Sequence, residues 1–216
     1  MKFTPFLTAA SLVLTITASH AGLFIVPEAL LTAPAVNPAS IVNFGEVADG
    51  TPINGLTIKG FTFSENTPEA LATSGGGPGP TNHISPPEAL QLLGVFNPAT
   101  YALTVTMPGA VTGFGFGFAI LDTIPTANAL TITLFNGATN LGSLTYAGAP
   151  DPTFDGGFAG IGSTDPFTSA RITFGPTAQS FAIDNMAVTT VAAIPEPGTA
   201  LFGLALCGAA AIRRRR

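Results

Sequence analysis

Residues 111–121 read Val-Thr-Gly-Phe-Gly-Phe-Gly-Phe-Ala-Ile-Leu, and their strict alternation decides the fold class. In an extended chain, successive side chains point to opposite faces. Phe114, Phe116 and Phe118 therefore share one face of a strand, and Gly113, Gly115 and Gly117 share the other. The aromatic face is built to fill a core. The glycine face has no side chain to cover the backbone, so a second sheet or a loop can approach it closely. The same period recurs at 129–135, where Leu130, Ile132 and Leu134 oppose Thr131 and Thr133, and at 169–174, where Ile172 and Phe174 oppose Arg171 and Thr173.

Working outward, further strand signals follow at short intervals: 41–45, 56–64, 89–96, 101–107, 141–147, 157–161 and 180–188. Between them lie segments rich in Gly, Pro and Asn, which favour turns. About ten strands without a convincing helix predict an all-β fold, a two-sheet β-sandwich. Residues 22–40 read as a leader or first edge strand, and 74–88 as a long exposed loop. The chain has 17 Phe and no Trp, so phenylalanine is expected to dominate the core, although an exposed Phe stripe would suit stacking on sugars.

Both ends differ from this body. Residues 1–21 have the anatomy of a signal peptide: Lys2, a mostly apolar run from Phe6 to Ile16, and Ser19-His20-Ala21 before a cleavage point at Gly22. A buried first strand is the alternative reading. At the other end, Thr199 to Ile212 is uncharged and apolar, and Arg213, Arg214, Arg215 and Arg216 follow it. As a helix those residues rise about 21 Å, short of the roughly 30 Å of a bilayer core. Snorkelling arginines extend such a span, and they hold the C-terminus in the cytoplasm. An N-terminal signal helix, a β-domain over 22–188, a linker over 189–194 and a short C-terminal transmembrane helix over 199–212 are the expected parts.

Charge divides in the same way. Outside the termini only Lys59 and Arg171 remain against eleven acids, a net charge of about −9 over residues 22–194. An acidic body repels nucleic-acid phosphates and anionic lipid headgroups. The lone cysteine, Cys207, lies in the tail, so the body holds no disulfide and stands on its core.

Pro195, Glu196, Pro197 and Gly198 precede the apolar run. The sequence from Ile194 to Arg216 resembles the PEP-CTERM sorting signal of Gram-negative bacteria: a Pro-Glu-Pro triplet, a short membrane helix and a terminal Arg cluster. Gly198 stands where that family more often has Ser or Thr. The resemblance implies recognition by an exosortase, transient residence in the inner membrane, and delivery to the cell surface or extracellular polysaccharide. A plain C-terminal anchor is the alternative. Residues 42–64 and 158–188 resemble the opening and close of jelly-roll domains found in exported PEP-CTERM proteins. That likeness implies first and last strands lying side by side, with an Asp-Asn pair at the end of the last.

Chemistry is sparse. His83 is the only histidine of the body and has no nucleophile at a recognisable spacing, so no enzyme is expected. Calcium suits the composition better, because it takes carboxylate and amide oxygens. Glu46 and Asp49 after the first strand, with Asp184 and Asn185 on the last, form the candidate set. Solvated turn residues, and for Asp184 a carboxylate accepting main-chain N–H bonds, are the alternatives. The expected role is structural or adhesive within extracellular polysaccharide; a carbohydrate-binding jelly roll with a structural calcium ion is the alternative, and a hydrolase lacks a visible pair of catalytic acids.

Overall fold

A computed structural model describes residues 22–32, 41–67, 71–74, 83–84, 89–92, 100–120, 125–150, 154–176 and 181–190. The signal segment, Pro195–Gly198, the apolar run 199–212 and Arg213–Arg216 lie outside the described residues, as do residues 191–194 of the expected linker.

The domain is all-β and its strands pair antiparallel. In chain order the elements are β1 (Leu23–Ile25), α1 (Glu28–Thr32), β2 (Thr57–Ile58), β3 (Phe61–Glu65), β4 (Leu71–Ser74), β5 (Ala89–Leu92), β6 (Ala102–Ile120), β7 (Leu130–Asn136), β8 (Thr139–Tyr146), β9 (Ala149–Pro150), β10 (Asp155–Phe174) and β11 (Phe181–Thr189). The five-residue α1 is too short to show an apolar period, and the sequence reading missed it. Among the described residues no helix is long and apolar enough to cross a membrane.

Four strand expectations are corrected. Residues 101–107 and 111–121 were expected as two strands; they merge into β6, 19 residues long. Residues 157–161 and 169–174 likewise merge into β10, 20 residues long. The register between the two slips from Gly162↔Gly113 to Phe167↔Val111 and then to Ser169↔Thr106. The turn signal at Pro108-Gly109 thus marks a bulge, which bends a strand without ending it. Residues 56–64 were expected as one strand but fold as a hairpin. Lys59 (φ 49°) and Gly60 (φ 85°) both lie at positive φ, as a two-residue hairpin turn requires. Residues 41–45 contribute only a bridge at Val42, because Phe44 (φ 59°) turns the chain away. That bridge reaches Met186 of β11, so Val42 of the expected first strand lies beside the last strand, while β1, the first strand formed, pairs with β10. The Asp184-Asn185 pair sits at a bulge within β11, which continues to Thr189.

The bulge divides β6 and β10 into halves with different neighbours. Residues 102–106 of β6 lie between β3 and residues 169–173 of β10, and β10 then pairs with β7 and β7 with β8. Residues 113–120 of β6 lie between β11 and residues 155–162 of β10. One apolar cluster draws on both halves: Phe61, Phe63, Leu103, Ile132 and Ile172 from the first, Phe114, Phe116, Phe118 and Ile183 from the second. Phe174 and Phe181 stack within it at 3.6 Å between ring centroids. Burying each such ring contributes about 1.5–3 kcal/mol relative to exposure.

Candidate functional site

The two halves treat their second faces differently. In the half carrying Gly113, Gly115 and Gly117, that face is covered, and β6 from Gly113 to Ile120 is buried throughout. A methyl group on Gly115 would meet Leu31 Cδ1 of α1 at 2.6 Å, and one on Gly117 would meet the His83 carbonyl oxygen at 2.5 Å. Gly160 and Gly162 of β10 widen the patch; a methyl there would strike the Val26 carbonyl and the Phe24 ring. The Val26 amide donates to the Gly160 carbonyl at 2.9 Å. Close approach by a covering segment is what the sequence led us to expect, and that segment is the leader 22–32 together with His83–Ile84.

His83 helps to hold this cover. Its Nδ1 lies 2.9 Å from Glu28 Oε2, its ring meets Phe158 edge-on at 5.8 Å, and its carbonyl accepts Asn185 Nδ2–H at 2.8 Å. Asn185 reaches that carbonyl because it occupies the left-handed region (φ 53°) at the β11 bulge, a conformation Asn tolerates better than most residues. The Asp184 carboxylate is fully buried and accepts the Asn185 main-chain N–H at 2.6 Å, so main-chain acceptance accounts for one of its oxygens.

The expected calcium set does not assemble. Glu46 is ion-paired with Lys59 at 2.5 Å, and Lys59 Nζ also donates to the Ile41 carbonyl at 2.6 Å. Asp49 is exposed beside Gly50, whose amide donates to Thr73. Among the described residues no three His, Cys, Asp or Glu side chains gather closely enough to share an ion. Sequence proximity to neighbouring strands brings main chains together, but Asp184 turns into the domain while Glu46 turns to its own lysine.

The other half of the sheet leaves its second face open, and here hydroxyls align. One row across the strands runs Thr57, Thr62, Thr106, Ser169, Phe135 and Asn140. The next runs Ser64, Thr104, Arg171, Thr133 and Ser143. A third joins Thr173, Thr131 and Thr145. Residues between the rows, including Phe63, Val105, Ala170, Ile172, Ile132 and Leu134, are buried beneath. Two hydroxyl pairs bond each other across strands at 2.9 Å, Thr57 with Thr62 and Thr131 with Thr145. Arg171, with Thr104 and Thr133 on either side, is exposed and has no hydrogen-bond or ion-pair partner among the described residues. The sequence showed Thr131, Thr133, Arg171 and Thr173 facing one way. It did not show that separate strands would bring them into register, because register depends on the bulges and turns.

Both tyrosines are held inside this framework. The Tyr101 hydroxyl donates to Glu65 Oε1 at 2.6 Å, and the Tyr146 hydroxyl to the Gly160 carbonyl at 2.8 Å. Desolvation raises both phenols well above their ordinary value, and the Glu65 bond and charge add to the effect at Tyr101.

No family model matches the chain, and no curated protein matches it. Among solved structures, the enzymatically active domain of bacteriophage CBA120 tailspike protein 4 is 17% identical over 72% of this chain, with a TM-score of 0.39. The tandem CBM22-1-CBM22-2 domain of Paenibacillus barcinonensis Xyn10C is 13% identical over 70% of this chain, also at 0.39. The xylan-binding CBM22-1 domain of the same protein is 11% identical over 67% of this chain, at 0.31, and 99% of that domain is covered. The chain spans 22% of the tailspike domain and 49% of the tandem domain. Likenesses this distant assign neither a family nor a function to this chain.

Proposed function

We propose that the protein is an exported, non-enzymatic β-domain that binds neutral polysaccharide on the open face centred on Arg171. The observation that carries this reading is the rows of hydroxyls in register across β2, β3, β6, β10, β7 and β8. A sugar chain offers hydroxyl groups that donate and accept, and threonine hydroxyls do the same. Arg171 adds a planar array of five donors, and Phe135 on the same face offers an apolar patch to a pyranose ring. The net charge of about −9 over residues 22–194 favours neutral over acidic polymers, because a polyanion is repelled before it reaches Arg171.

The finer fold in this reading is a two-sheet sandwich of jelly-roll type. The shared core beneath both halves of β6 supports it, as does the Val42–Met186 bridge, which sets residues 41–45 beside β11. Delivery through an exosortase rests on the sequence alone: Pro195, Glu196, Pro197 and Gly198, the apolar run, and Arg213 to Arg216. A structural or adhesive role in the matrix follows from the same binding face once the protein is outside the cell.

Binding to immobilised polysaccharides tests the function. Saturable retention on neutral polymers that persists in moderate salt is expected. Retention only on acidic polymers, or on none, contradicts it. Mass spectrometry of the mature protein from its native host tests the sorting. Loss of residues 1–21 and of the terminal arginines is expected, and both ends intact contradict it.

A further inference from the structure

The middle row of the open face differs from the rows on either side. Across five successive strands it reads Ser64 of β3, Thr104 of β6, Arg171 of β10, Thr133 of β7 and Ser143 of β8, each directly opposite the next. Ser64, Arg171 and Ser143 are exposed, and Thr104 and Thr133 are half-buried. None of the five side chains has a hydrogen-bond partner among the described residues. The flanking rows are committed in part: Thr57 bonds Thr62, Thr131 bonds Thr145, and Asn140 Oδ1 accepts the Gly142 amide. Folding therefore leaves one continuous line of uncommitted donors and acceptors, and that line runs across the strands.

Neighbouring strands lie about 4.7–4.9 Å apart, so the line offers one polar side chain at each such step and spans about 19 Å. Along a single strand, residues on the same face are about 6.7 Å apart. One sugar of an extended β-1,4 glucan advances by little more than the first distance and by clearly less than the second. Equatorial bonds at both ends of its pyranose rings keep that chain straight. An α-1,4 linkage curls the chain away from a straight line of contacts.

We propose that the middle row is a track for an extended, neutral β-1,4-linked glycan lying across the strands, one sugar to a strand, with Arg171 at the central sugar. This rests on the polysaccharide reading above and narrows it to the shape, direction and length of the chain. Each serine or threonine hydroxyl donates and accepts, as sugar hydroxyls do, and the Arg171 guanidinium only donates, to the oxygens of the sugar above it.

The test is calorimetry on the full chain with cello-oligosaccharides of increasing length, set against malto-oligosaccharides of the same lengths. Affinity is expected to climb up to about five sugars, the length of the row, and to level off beyond it. The malto series is expected to bind at least tenfold more weakly. The double variant Ser64→Ala and Ser143→Ala touches only the two ends of the row. It is expected to weaken the five-sugar ligand by roughly fivefold or more, to leave the three-sugar ligand unchanged, and to melt as the wild type does. Binding that ignores chain length, or that favours the malto series, overturns the track and leaves the polysaccharide reading standing. Unchanged affinity of the double variant for the five-sugar ligand overturns it likewise. Binding of neither series also overturns it, and retention on other immobilised neutral polysaccharides then decides the broader reading separately.

Discussion

At the scale of single residues, the glycines of β6 separate into those that matter and those that do not. The position a methyl would take on Gly117 lies 2.5 Å from a main-chain oxygen of His83, which cannot swing aside as a side chain can. Gly117→Ala is therefore expected to lower stability by about 1–3 kcal/mol in denaturant titration, the range for overpacking. Gly109, with nothing within 4 Å, is the control, and Gly109→Ala is expected to stay within about 0.5 kcal/mol. Asn185 couples a left-handed backbone to the bond that holds His83. Replacing it with Ala removes the bond and strains the backbone, at about 1–3 kcal/mol, whereas Gly loses only the bond and is expected to cost less. The alternation of Phe and Gly was legible in the sequence. Which segment would cover the glycines was not, because nothing in Phe24, Val26 or Leu31 names a distant strand as its partner.

At the scale of elements, β6 and β10 organise everything else. Each was legible as two strands, since Pro108-Gly109 and the Ser163–Pro166 stretch carry turn chemistry. The chain absorbs those residues as bulges because the flanking ladders continue on both sides. The same physics produces the hydroxyl face: alternation buries Ile132 and Ile172 and leaves Thr133 and Arg171 outside, and pairing then sets them side by side. Substitutions on the two faces should differ sharply. Phe116→Ala removes a fully buried ring and is expected to cost about 3–5 kcal/mol. Thr133→Val keeps the shape and β-propensity of an outward residue, and its unfolding midpoint is expected to move little. Equal losses at both positions would mean that the Thr133 face is packed rather than open.

At the scale of the whole molecule, the domain is a phenylalanine core held without disulfides, with two tyrosines as its only strong near-ultraviolet chromophores. Both phenols are raised in the folded state, so each stays protonated where an unfolded tyrosine ionises. Above about pH 10 the unfolded chain binds fewer protons than the native one, and stability falls as pH rises; below that pH the contribution is fully present. Tyrosinate absorbance is thus expected to appear in one cooperative step with unfolding, and Tyr146→Phe to make the alkaline loss shallower. Gradual ionisation near pH 10 in a protein that stays folded would contradict the burial of both hydroxyls. The proposed binding face belongs to this scale too, because no single element carries the hydroxyl rows. Its most direct test is a calorimetric titration of neutral polysaccharide into wild-type protein and into the triple variant Thr104→Val, Thr133→Val and Arg171→Gln. Saturable binding by the wild type is expected to weaken at least tenfold in the triple variant, with the melting temperature little changed. Equal affinity in the two proteins, or no binding by either, would contradict it.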